Sequence, residues 1–433
     1  MGEAAAGVPK SAVRDEAEAA FEAEIRRNLP RNYVANLAHG LLGQTGFRLI
    51  NAPTFTPAYI FQLSGSEISV GLALGAQTLG GALSSILGAT LIEHRKKVLP
   101  MGLLVGWGMR AGILGLALGG FFLPDRLALW SVYICLAIFG LFNGVQSVIF
   151  NALMAKVIPL TLRGRLTGLR NFLAGLTAAG VAYLGGKYFV ETNALGNGYA
   201  TTFLLAFILT SIGLSMLMLL REPEPPQVRP RSRFFARIQE IPALLRSDRP
   251  LAYFYLANSL VALGSLAIPF YVLFAGRSIG LSGANLGILS TALLLSQTGT
   301  NLIWGSLGDR AGNRIVFLLS VAIWVGSTVL LMQAHTLAGL ALVFAGLGAG
   351  QGGYINSSQI IILEFGRRED LPMRIALLNG LSSLMNTVGL AVGGFAAHSL
   401  SLEAVFWFAI AAKTGAVLTI LFRVDEPRRR LNI

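Results

Sequence analysis

Acidic residues are almost absent from the apolar stretches of this chain, and cysteine is nearly absent altogether. Of its 21 Asp and Glu, none falls in the middle of a long apolar run; Glu67, Glu93, Glu364 and Glu403 all sit near run ends. The only cysteine, Cys135, lies inside such a run, which excludes an intrachain disulfide. With one cysteine and 4 histidines there is no spacing that suits a metal ion. A phosphate-binding Gly-x-x-x-x-Gly-Lys-Ser/Thr loop is missing too, since Gly186-Lys187 is followed by Tyr188. Neither an enzyme nor a cofactor is expected. The first thirty residues are polar and lack the short apolar core of a cleavable signal, so the first apolar run is expected to direct insertion itself.

What the chain has in abundance is apolar length. Hydrophobic residues make up 54% of it and charged ones 13%, and the mean hydropathy is +0.64, values outside the range of soluble domains. Runs of about 20 residues can each cross a bilayer as a helix. Twelve are expected, at 32–62, 67–92, 98–122, 127–158, 165–188, 199–221, 251–276, 283–308, 313–333, 336–364, 374–398 and 403–423. The chain therefore reads as an all-α polytopic membrane protein, embedded in the lipid bilayer of a plasma membrane, a bacterial cytoplasmic (inner) membrane by expectation.

Lys and Arg are retained on the cytoplasmic side of short loops. Placing both termini in the cytoplasm puts 28 of the 34 basic residues on that side, including Arg163, Arg165, Arg170 and seven arginines from Arg221 to Arg249. Three then fall outside (Arg126, Lys187, Arg277) and three within spans (Arg48, Arg110, Lys413). Because the positive charge is distributed over loop ends, the pI of about 10.3 reflects topology and no nucleic-acid partner is expected.

Residues 1–31 form a cytoplasmic segment in which Phe21, Ile25 and Leu29 recur at helical spacing, as in a short amphipathic helix on the inner leaflet over Asp15 to Leu29. Bundles of six spans follow at 32–221 and 251–423, separated by a Pro- and Arg-rich linker at 222–250 and ended by a tail at 424–433. In the linker, Phe234, Phe235, Ile238, Ile241, Leu244 and Leu245 also have helical spacing. The two halves echo each other. Pro57-Ala58-Tyr59 with Leu63-Ser64-Gly65 matches Pro269-Phe270-Tyr271 with Leu281-Ser282-Gly283, and at one constant offset Gly140, Gly144, Asn171, Gly185 and Gly186 fall on Gly348, Gly352, Asn379, Gly393 and Gly394. Repeated halves are the pattern of transporters that hold their substrate near the midplane.

Between the eighth and ninth spans runs Gly305-Ser306-Leu307-Gly308-Asp309-Arg310-Ala311-Gly312-Asn313-Arg314, a short charged turn. It resembles the signature loop of the major facilitator superfamily, and the resemblance covers about 32–423. It implies twelve transmembrane helices in two pseudo-symmetric six-helix bundles that rock about a central cavity, usually lined by spans one, four, seven and ten. In that resemblance Asp309 is a gating residue, meeting the amino-terminal end of span five with Arg163 and Arg165 and holding the cytoplasmic side shut; Gly305, Arg310, Gly312 and Arg314 belong to the same device. The shortened first-half counterpart, Gly88 to Leu99, keeps Glu93, which is expected to contact Arg374.

A charge inside a span costs several kcal/mol unless it faces protein or water. Arg48 in span one is therefore the leading substrate-binding candidate, and its position resembles that of the cavity arginine in organophosphate-exchanging members, although span seven offers Asn258, Ser259 and Ser265 in place of their second arginine. Arg110 and Lys413 are further intramembrane charge sites. His39 and Gln44 in span one, Asn143 and Gln146 in span four, Asn258 in span seven, and Gln351 and Tyr354 in span ten complete the candidate set. Three intramembrane cations without an acid favour an anionic substrate. The expected function is alternating-access transport of a small organic anion, secondary active or facilitative, by a monomer. The alternatives are an exporter of amphiphilic, drug-like or lipid-like compounds, and a non-transporting sensor or assembly factor.

Overall fold

The computed structural model describes residues 10–92, 95–225, 248–365 and 371–424. The expected linker helix around Phe234 to Leu245 and Glu93 lie outside the described residues. Every expected span is occupied by helix. Span one is Lys10–Asn51 continued by Phe55–Ser64; spans two to six are Glu67–Ile92, Leu99–Phe122, Asp125–Val157, Leu160–Leu184 and Gly198–Met216. Span seven is Arg249–Gly264 continued by Ile268–Ile279, and spans eight to twelve are Gly283–Ala311, Asn313–Leu331, Leu337–Glu364, Leu371–Ser399 and Leu402–Arg423. Among the described residues, nine of these units are long and apolar enough to cross a membrane. Spans one and five fall outside that group because polar and small residues, arginine included, dilute their apolar windows.

Helices dominate because a bilayer offers the backbone no water, so each segment satisfies its own N–H and C=O groups. The ends use sequence-coded caps. The side chains of Asn197, Asp248, Ser282, Thr336 and Ser401 accept from backbone N–H groups of the first turns of spans six, seven, eight, ten and twelve. Span three is capped from a distance: the Glu222 carboxylate accepts from the N–H of Val98 and of Leu99 at 2.8–3.0 Å and pairs with Lys156 at 3.1 Å.

One expectation is revised. The separate surface helix over Asp15 to Leu29 is instead the start of a single 42-residue helix that passes through Pro30, about 63 Å long and so roughly twice the hydrocarbon thickness. Its lower part is tied to the end of span six, where Arg31 donates to the Leu219 carbonyl (2.5 Å) and Asn32 exchanges hydrogen bonds with the Arg221 backbone (3.0 and 2.9 Å).

Spans one and seven are interrupted at matching places, just before Pro57 and Pro269. The residues that follow, Tyr59 and Tyr271, are both fully buried. The repeat is also visible in packing. A Cβ at Gly140 would run into the Gln77 carbonyl of span two, and one at its counterpart Gly348 into the Leu293 carbonyl of span eight.

Candidate functional site

Spans one, three, four and five enclose a cavity of about 140 Å³, and two arginines reach it. Arg110 of span three is 0% exposed. Its Nε donates to the Thr210 carbonyl (2.7 Å) and Nη1 to the Gly106 carbonyl (2.8 Å), while Nη2 is buried without a hydrogen-bond partner. Arg170 of span five is 7% exposed. Its guanidinium stacks over the Phe150 ring at 4.6 Å, and its buried Nε has no hydrogen-bond partner either. The stem of Arg170 crosses span one at Gly40, where any Cβ would overlap its side-chain carbons. Phe47 backs Arg110 at 5.6 Å, so each cation rests one face on an aromatic ring.

The remaining wall is neutral and polar. His39 Nδ1 lies 2.9 Å from the Gly213 carbonyl, which makes Nδ1 the protonated nitrogen of the neutral ring, and the imidazole sits 5.2 Å from Phe150. Gln146 is buried with its Oε1 unpartnered, and Gln44 and Asn143 also face the space. Among the described residues, no acidic side chain lines the cavity. Two arginines thus stand out of bulk water, each with a nitrogen left without a hydrogen-bond partner.

Of the sequence candidates, the structure brings together His39, Gln44, Arg110, Asn143 and Gln146. Arg48 is placed elsewhere in this conformation: its Nη1 donates to Thr298 Oγ1 of span eight (3.2 Å) and its Nη2 to the Asn171 carbonyl of span five (3.5 Å), so it ties the two bundles together. Lys413, also 0% exposed, donates to the Gly264 carbonyl (2.5 Å) at the break in span seven and lies 4.4 Å from the Trp324 ring centre, away from the cavity. Asn258 turns back onto the Phe254 carbonyl of its own helix (2.8 Å), Gln351 is partly buried with its Nε2 unpartnered, and Tyr354 packs against Phe317 and Trp324. None of these lines the cavity.

Arg170 is the residue that sequence reasoning misplaced. Its position soon after Arg163 and Arg165 put it with the loop charges, whereas the helix carries it into the bundle. The available signal was that it already stands inside the apolar run at 165–188.

The bundles meet on the side away from the Lys- and Arg-rich loops. There Gly186 of span five backs onto Gly283 and Gly287 of span eight, and its counterpart Gly394 of span eleven backs onto Gly71 of span two. Glu191 accepts from the Ala284 N–H (2.9 Å) and Glu67 lies 3.7 Å from His398. Nearer the middle, Thr54 meets Ser290 (2.5 Å), Thr78 meets Thr387 (3.0 Å), and Gly175 faces Thr298. Seven residues toward the basic side from Gly175, Thr298 and Thr387 come Gly168, Gly305 and Gly380, on the same helix faces. A Cβ at any of these three would meet nothing within 4 Å. The seams have separated, and Arg170 lies on the separated side of Gly175.

The Gly305 to Arg314 loop, expected to act in gating, has the matching state. Gly312 makes the turn with a φ of 93°, a backbone region that favours glycine. Asp309, Arg310 and Arg165 are exposed. Arg163 donates to the Ile158 and Ala155 carbonyls (2.8 and 2.6 Å), so the expected contact of Asp309 with Arg163 and Arg165 is not formed in this conformation. Arg314 donates to the Leu421 carbonyl at the end of span twelve (2.7 Å), and Arg374 donates to the Phe365 carbonyl.

The family model described as Major Facilitator Superfamily matches residues 40–275 and 254–433. The chain belongs to the major facilitator superfamily. Among curated relatives it is similar to Citrate exporter 1 of Aspergillus niger, 23% identical over 153 residues, which is 35% of this chain and 29% of that one. It is also similar to the inner membrane transport protein YajR of Escherichia coli K12, 25% identical over 168 residues, 39% of this chain and 37% of that one. The matched stretches thus span about a third of these relatives. Among solved structures, a D-xylose–proton symporter aligns over 92% of this chain and 99% of its own with a TM-score of 0.70 at 16% identity. At that identity the likeness shows a shared fold.

Proposed function

We propose that this superfamily member is a secondary active or facilitative transporter that moves a small organic anion across a bacterial inner membrane by alternating access. The observation that carries the reading is the pair of buried arginines, Arg110 and Arg170, which line a cavity without an acid among the described residues and each hold a buried nitrogen with no hydrogen-bond partner. Taking the basic loops as cytoplasmic, the conformation described here is inward-open. Asp309 would then engage the start of span five only when that side closes. The similarity to a citrate exporter and to an inner membrane transport protein supports both the anionic substrate and the membrane. Export of amphiphilic compounds has less support, because a cavity selecting for apolar bulk gains nothing from two desolvated cations. One chain supplies both bundles, and the proposed working unit is the monomer.

Ligands stabilise the state they bind, by about 2.7 kcal/mol at a hundredfold excess over Kd. Thermal unfolding of the detergent-purified protein should therefore shift upward by a few degrees with small carboxylates or phosphate esters, and the shift should be smaller in Arg170→Ala. Stabilisation by uncharged amphiphiles alone, equal in wild type and variant, would sink the proposal.

A further inference from the structure

The two arginines also constrain the charge of the ligand. We infer that the substrate presents two negative charges at once, one to Arg110 and one to Arg170, and is therefore a dianion: a dicarboxylate or a phosphate monoester. This rests on the anion-transport reading above and narrows it.

The argument is charge balance in a small cavity. Both arginines are more than nine-tenths buried as residues and share one cavity of about 140 Å³. Among the described residues, everything else of polar character on the wall is neutral: Gln44, Asn143, Gln146, Ser147, and His39, whose ring donates to the Gly213 carbonyl. Arg48, the next cation along span one, is committed to Thr298 and Asn171. A monoanion would leave one guanidinium buried and uncompensated, and desolvated cations are costly unless paired.

The orientation of the two groups fits the same conclusion. Each has one face against a ring, Phe47 for Arg110 and Phe150 for Arg170, so hydrogen bonding is left to the edges. Arg110 has spent two of its nitrogens on the Thr210 and Gly106 carbonyls and offers Nη2. Arg170 Nε is buried without a hydrogen-bond partner, and with no hydrogen bond of the side chain found among the described residues, its terminal nitrogens are left for a bidentate contact. The site is thus a strong fork on span five and a single fixed donor on span three. Gly40 is the positioning residue, because only the absence of a side chain there lets Arg170 reach the cavity.

The test uses pairs of probes matched in size and differing in charge: succinate against succinamate, and methyl phosphate against dimethyl phosphate, titrated into the purified full-length protein at pH 8. The dianion should bind about tenfold or more tightly than its monoanion in at least one pair, and the responding pair tells dicarboxylate from phosphate monoester. In Arg110→Gln and in Arg170→Gln the preference within that pair should fall to near unity, with the monoanion still bound. Retained monoanion binding shows that each variant has folded. Equal affinity within both pairs of the wild type, or an undiminished dianion preference in both variants, would overturn the dianion inference while leaving the anion reading intact. Failure of all four probes to bind the wild type would overturn both.

Discussion

Arg110, Arg170 and Lys413 are all buried cations, and what each touches separates their roles. Lys413 has a carbonyl and an indole face for partners, so it holds span twelve against spans seven and nine. Lys413→Ala leaves the Gly264 carbonyl unpaired; the expected outcome is a loss of about 1–3 kcal/mol of stability, seen as a lower unfolding temperature, with ligand affinity unchanged. Gly40→Ala should do the reverse. It pushes Arg170 off its path, so ligand affinity should fall about tenfold or more while the monodisperse size-exclusion profile is retained; unchanged affinity would contradict the placement of Arg170. Arg110 and Lys413 were legible in the sequence as charges inside apolar runs, because hydropathy exposes such residues directly. Which way each side chain points was not legible. Arg48 reads as a cavity residue by position and turns out to bridge to Thr298, since direction depends on the partner helix.

At the scale of elements, the proposed alternating access assigns the choice of open side to the seams between spans five and eight and between spans eleven and two. Gly186→Val would force a side chain into the backbones of Gly283 and Gly287 and should disfavour the conformation described here. Asp309→Asn should act in the opposite direction, since its carboxylate is exposed in this state and engages span five on closure. Labelling a single cysteine at Gly168 in a Cys135→Ser background reads both: faster labelling than the parent is expected for Asp309→Asn and slower labelling for Gly186→Val. No change in either variant would contradict the gate assignment. The glycine echo at constant offset was a reliable guide here, because Gly186 and Gly394 occupy equivalent seams and close contact between helices demands the same small residue twice. Where span one begins was less legible. Pro30 and the run of charges before it looked like a boundary, yet the helix continues through both.

At the scale of the whole molecule, two pseudo-symmetric bundles carry an asymmetric cavity. The charged wall belongs to the first bundle, while the second contributes Thr298 and the seam against which the first closes. Closing the bundles over an empty cavity would shut two already buried, unpaired cations off from the remaining water, so the loaded protein should reorient more readily than the empty one, and exchange of one anion for another should outpace net flux. The most direct measurement is uptake of labelled succinate and labelled methyl phosphate into proteoliposomes preloaded with the same unlabelled anion. Wild type should accumulate at least one label, faster than proteoliposomes that are not preloaded, and Arg170→Ala should accumulate neither. Uptake undiminished in Arg170→Ala, or absent from wild type for both anions, would contradict the account.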